Sequence, residues 1–191
     1  MGIVLISAYF ASLSPLALFR ALPGSIAQGL IWGLLALGVY ITYKLLDFAD
    51  LSVDGSFATG GAVAVMLIRS DMNPWISLIF AFAAGMLAGM VTGLLHTKLG
   101  IPPILAGILT QIALYSINLH IMGKANISLL RTDTVFSLTQ KALGVSQGMA
   151  AFLLPTILVI LIVGAIYWFF GTEYGCALRA TGANVNMARA Q

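Results

Sequence analysis

Three aspartates stand close together in a chain that is otherwise mostly apolar. They are Asp47, Asp50 and Asp54, in the run Asp47-Phe-Ala-Asp50-Leu-Ser52-Val-Asp54-Gly55-Ser56. Spacing of i, i+3 and i+7 would put all three on one face if the segment were helical. Such a face is one way to hold a cation. Lys44, three residues before the first aspartate, offers a plainer use as an ion-pair partner. Carboxylates gain nothing from lipid, so the island must serve water, a partner or a path. Ser52 is a candidate cap for the following helix, with Asp54 well placed in its first turn. Gly55 permits unusual backbone angles. Asp50, Ser52, Asp54 and Gly55 are therefore expected to form a break between two helices.

A second group lies within an apolar stretch. Gln111, Tyr115 and Asn118 follow i, i+4, i+7 spacing and share one helical stripe. Polar groups facing lipid are costly, so the stripe should face protein or water. It would serve as a translocation path, or as interhelical hydrogen bonding worth about 0.6 kcal/mol per contact.

Other chemistry is missing. No Gly-x-x-x-x-Gly-Lys-Ser/Thr phosphate loop, Gly-x-Ser-x-Gly elbow or His-Glu-x-x-His zinc motif occurs. His96 and His120 are far apart, without ligand spacing or a companion serine. Cys176 is the single cysteine, which excludes an internal disulfide and a multi-cysteine metal site. The nine basic residues are scattered singly, with no run to grip nucleic acid. No catalytic residue, metal or cofactor is expected.

The elements that hold these groups follow from composition. Sixty per cent of residues are hydrophobic and 8% are charged, against about 25% charged in soluble domains. Lipid must be the solvent for much of the chain. Charges leave uncharged windows at 1–19, 21–43, 55–68, 72–97, 99–123 and 142–172. A crossing helix needs about 20 apolar residues, and all but 55–68 qualify. That short window would cross by borrowing its polar flank, or dip in and pack inside the bundle. The expected fold is all-α, a polytopic transmembrane bundle of about six segments in one domain. Residues 1–19 lack the basic start and cleavage site of a signal peptide and read as a retained segment. Trp75, Tyr167 and Trp168 sit at window ends, where aromatic belts lie. Gly85, Gly89 and Gly93 recur every fourth residue and suggest a close helix contact. Residues 124–147 form a polar loop outside the membrane. With the N-terminus inside, Lys44, Lys98, Arg179 and Arg189 share one side. Arg20, Arg69, Lys124, Arg131 and Lys141 share the other, so the positive-inside rule leaves orientation open.

The run Asp50-Leu-Ser-Val-Asp54-Gly resembles the Asp-Leu-Ser-Val-Gly signature of ribose-type ABC importer permeases. Ala177-Leu-Arg-Ala-Thr-Gly182-Ala-Asn184, with Met187-Ala-Arg189-Ala, resembles the ATPase-docking loop of the branched-chain amino acid and ribose permeases. Gly29 to Gly38, and Leu105 to Gln111 running into Leu114 to His120, are similar to the branch assigned to tryptophan or tyrosine systems. The likeness covers residues from about 25 onward. It implies a multi-pass permease of a bacterial cell membrane, carrying a small solute such as an aromatic or branched-chain amino acid. Sugar or nucleoside transport is the alternative, and a membrane protease or an assembly protein is a more distant one. Implied partners are a separate ATP-binding subunit, an extracellular or periplasmic substrate-binding protein, a second permease copy and lipid. Hydrolysis of ATP belongs to the partner subunit. Residues 172–191 become the cytoplasmic docking segment, with Leu178, Arg179, Gly182, Asn184 and Arg189 as its contacts. On one short helix, Arg179, Asn186 and Arg189 would share a side, opposite Leu178 and Val185. Members of the family carry further spans beyond this loop, so the chain is expected to be the N-terminal part of a longer permease.

Overall fold

The computed structural model describes residues 15–129, 132–144, 147–184 and 187–188. Helix α1 runs Pro15–Tyr40 and widens into a π-helical turn, Ile41–Leu45. An irregular stretch then leads into α2, Val53–Arg69. Helices α3, Pro74–Thr97, and α4, Pro103–Met122, follow. A short α5, Val135–Leu143, precedes α6, Gln147–Gly171, and α7, Glu173–Ala183. Among the described residues every regular element is helical, as the composition requires. Among the described residues, four helical stretches are long and apolar enough to cross a membrane: Ala21–Leu45, Pro74–Thr97, Pro103–Met122 and Met149–Gly171.

Helix α2 has 17 residues, about 25 Å at 1.5 Å per residue. It is a continuous helix at the centre of the bundle, packed on both α3 and α4 and touching α1. Small residues let it sit there. A methyl group on Gly60 would come 3.1 Å from the Ala81 carbonyl, and one on Gly85 would come 3.3 Å from the Ser56 carbonyl. The α3 contact face is Ser77, Ala81, Gly85, Ala88 and Thr92, a small-residue seam. The expected Gly85-Gly89-Gly93 stripe is therefore only partly used, since Gly89 and Gly93 face open space. A strict four-residue period drifts around a 3.6-residue helix, and only one of the three meets the seam. Buried hydroxyls stay satisfied by bonding back to their own helices: Thr59 to Gly55 at 2.8 Å, Thr110 to Ala106 at 2.9 Å. Large side chains such as Ile79, Phe82 and Ile160 point outward, as suits lipid.

Two sequence boundaries differ from expectation. Helix α1 starts ahead of Arg20 and runs through it and Pro23 without interruption, while its membrane-crossing stretch begins at Ala21. Proline removes one hydrogen bond but leaves an apolar helix continuous when its neighbours support it. Most of the 1–19 window lies outside the described residues. The second difference is α5, a helix inside the stretch read as polar loop. Thr134 and Ser137 form a reciprocal capping box at its start, and Gly144 in a left-handed conformation ends it.

The topology sorts the connections to two ends of the bundle. One end gathers the break after α1, the α3–α4 turn and α7. The other gathers the Ser70–Asn73 turn and the Thr132–Leu138 region, which line a shared recess of about 440 Å³. There Lys141 pairs with Asp133 at 2.8 Å. The Lys141 ammonium, helped by the Ser137 hydroxyl, holds the Asp133 carboxyl below the usual carboxylate range.

Candidate functional site: the helix break and the docking helix

The break after α1 is built by its own backbone. Leu46 N–H bonds back to Ile41 at 3.1 Å and Phe48 N–H to Thr42 at 2.9 Å. Asp47 takes a left-handed conformation, φ 50°, which an aspartate tolerates better than most residues. The segment is therefore not a helix, and the three aspartates do not form the single face a helix would give. No metal-binding cluster is found among the described residues. Nor does an ion pair join Lys44 to the aspartates; among the described residues the ion pair found is Lys141–Asp133.

Each polar residue of the break has a specific use. One carboxylate oxygen of Asp50 accepts the Ser52 N–H at 2.8 Å, an Asx turn that closes the loop. Ser52 precedes α2 but makes no side-chain cap. Its hydroxyl instead accepts a hydrogen bond from the Thr92 hydroxyl at 2.8 Å, and both residues are buried. The expected capping role of Ser52 is thus replaced by a tie between the break and α3. The swap is physical: Ser52 has a helix-like conformation, which does not aim its oxygen at the helix N-terminus. Asp54 is exposed in the first turn of α2, where it faces the positive end of the helix dipole. Gly55 is buried against the Gln111 backbone and the Leu114 side chain.

Two neighbours that the sequence did not connect with it complete the break. Gly107 on α4 carries it: a methyl group there would lie 2.7 Å from the Leu51 nitrogen and 3.2 Å from the Asp50 carboxylate. The Phe48 ring packs edge-on against His96, centroids 5.1 Å apart, and His96 Nδ1 bonds the Ile101 carbonyl at 2.8 Å. A glycine early in an apolar helix was the available signal for Gly107, but many glycines share it.

The Gln111, Tyr115, Asn118 stripe is divided. Asn118 is buried with Thr110 and Leu114, Gln111 is half-buried, and Tyr115 is 68% exposed. The buried face of α4 is Ala106, Gly107, Thr110, Leu114 and Asn118, one step round from the expected stripe. The Asn118 side-chain carbonyl is buried and has no hydrogen-bond partner. A buried orphan acceptor costs about 1–3 kcal/mol.

Helix α7 turns sharply from α6 at Thr172. The Thr172 hydroxyl caps the new helix by accepting from Gly175 N–H at 3.4 Å. Arg179 is exposed, and its guanidinium donates to the Phe170 carbonyl at 2.6 Å, closing the last turn of α6. Leu178 is 38% exposed. Gly182 faces the Leu45 carbonyl and Leu46 rather than open space. Asn184 is extended, φ −162° and ψ 104°, and its side chain accepts from Met187 N–H at 3.1 Å. Helix α7 therefore ends at Asn184, so the single short helix expected to carry Arg179 through Arg189 is interrupted there. Asparagine prefers such local turns to a helix interior. Val185, Asn186 and Arg189 lie outside the described residues.

The profile of the family described as "Branched-chain amino acid transport system / permease component" matches residues 22–191. The chain belongs to this permease family. Curated relatives agree. The "Tyrosine transport system permease protein" of Clostridioides difficile is 46% identical over 110 residues, 58% of this chain and 37% of that protein. "Uncharacterized protein RP368" of Rickettsia prowazekii is 34% identical over 85% of this chain and 55% of its own length. The "Fructose import permease protein FruF" of Bifidobacterium longum is 27% identical over 73% and 39%. The chain spans from about a third to just over half the length of these relatives. No solved structure gives a significant match. This permease is a multi-pass helical membrane protein.

Proposed function

We propose that the chain forms part of the transmembrane permease of an ABC importer. A separate ATP-binding subunit drives it, docking on the segment 172–191 through Leu178, Arg179, Gly182, Asn184 and Arg189. The observation that carries this reading is the position of α7. It is short, less apolar than the spanning helices, and meets the Leu45–Leu46 backbone where α1 gives way to the break. That end is cytoplasmic, and the opposite end, with α5, meets an extracellular or periplasmic substrate-binding protein. The α4 side that carries Tyr115 turns towards a second permease copy across the solute path, with Gln111 beside it. Asn118 supports the path by offering a buried acceptor. Catalysis of ATP hydrolysis lies in the partner subunit.

An amino acid is the favoured solute, because the relative with the highest identity quoted above is named for tyrosine. A sugar is the second reading, supported by the fructose-named relative. The test is uptake by vesicles holding the full-length permease, its ATPase and its binding protein. ATP-dependent accumulation of labelled tyrosine, competed by aromatic amino acids and not by fructose, is expected. Accumulation of fructose alone would favour the second reading.

A further inference from the structure

Gly175 and Gly182 lie seven residues apart, so they share one face of α7. Both meet backbone. A methyl group on Gly175 would strike the Phe169 carbonyl and Phe170 Cα, and one on Gly182 would strike the Leu45 carbonyl. The same methyl at 182 would also sit 3.0 Å from Leu46 Cα. Helix α7 is thus clamped between the end of α6 and the end of α1, with no side chain as a cushion. The Leu45–Leu46 backbone it touches opens the break. From there the chain is tied at short range to α3 through Ser52 and Thr92, and to α4 through Leu51 and Gly107.

We propose that Gly182 is a positioning residue for energy coupling, seating α7 on the Leu45–Leu46 backbone. Motion of the docking helix then reaches the break, and through it α3 and α4. This rests on the importer reading above, and it moves Gly182 from the ATPase contacts to the inward face. Direct backbone contact suits the task, because a flexible side chain between the two segments would absorb small displacements.

The test uses the full-length permease in complex with its ATPase and binding protein. Gly182→Ala places a methyl group against main chain, which no side-chain rotation relieves. The variant should retain the ATPase on purification while solute moved per ATP hydrolysed falls about tenfold. An unchanged ratio would overturn the proposal. So would loss of the ATPase from an inserted variant, which would make Gly182 a docking contact. A second measurement leaves Gly182 intact. Spin labels at Thr181→Cys and Lys44→Cys, with Cys176→Ser, should keep their separation between nucleotide-free and ATP-trapped states. The Thr181→Cys to Lys98→Cys separation should change between those states. A Thr181–Lys44 separation that changes as much would overturn the rigid seat. If the wild-type permease holds no ATPase at all, the importer reading fails, and this inference with it.

Discussion

At the scale of single residues, the hydroxyl pair Ser52–Thr92 and the carbonyl of Asn118 pull in opposite directions. The first is a satisfied buried contact and the second an unsatisfied one. Ser52→Ala and Thr92→Val should each lower stability by about 1 kcal/mol, and the double variant should lose little more than either alone. Reversible unfolding of the detergent-solubilised protein measures all three; additive losses would show that the hydroxyls act independently. Asn118→Leu removes an acceptor that nothing satisfies, so stability should hold or rise. If Asn118 lines the solute path, uptake should fall at the same time. Asn118→Leu with full uptake would make the residue a packing element only. For Asp50, Asn preserves an oxygen for the Ser52 N–H and Ala does not. Asp50→Asn should therefore keep the yield of folded protein in detergent, and Asp50→Ala should reduce it. The Asp133–Lys141 pair is present at neutral pH. With its carboxyl pKa lowered in the folded state, its contribution is lost as pH falls through that lowered value. Asp133 is well exposed, so the effect on overall stability is small.

At the scale of elements, apolar windows foretold α3, α4 and α6 to within a few residues, because lipid demands long uncharged runs. Three carboxylates and Gly55 beside a short window pointed to a break, but Asp54 and Gly55 lie in the first turn of α2 itself. The construction of the irregular stretch before it was not legible. Whether Ser52 caps α2 or reaches Thr92 depends on α3, forty residues away, and no local pattern encodes that. Helix α5 was missed because its polar face and flanks hid a short amphipathic turn. Its Thr134 and Ser137 cap pair was the available sign. The α4 stripe was displaced by one step because helical spacing gives a face but not its direction. Gly107 shows how narrow the fit between elements is. Gly107→Ala would press a methyl group onto the Leu51 nitrogen. It should cost more stability than Gly89→Ala, whose methyl meets nothing. On an exposed face the latter should be neutral or gain up to about 1 kcal/mol. Equal melting temperatures for the two variants would refute the close approach.

At the scale of the whole molecule, α2 sits centrally, and the break, the α3–α4 turn and α7 gather at one end. That arrangement fits a bundle worked from one side and loaded from the other. Charge alone did not orient it, since basic residues stand at both ends. In the importer proposed above, α7 faces the compartment that holds ATP. The most direct measurement is retention of the ATP-binding subunit by affinity-tagged full-length permease, wild type against Arg179→Glu with Arg189→Glu. Both charges lie outside the apolar windows, so insertion should be equal. The wild type should retain a P-loop ATPase and the double variant should lose most of it. Equal retention, or no ATPase on either protein, would contradict docking through α7 and the importer assignment that depends on it.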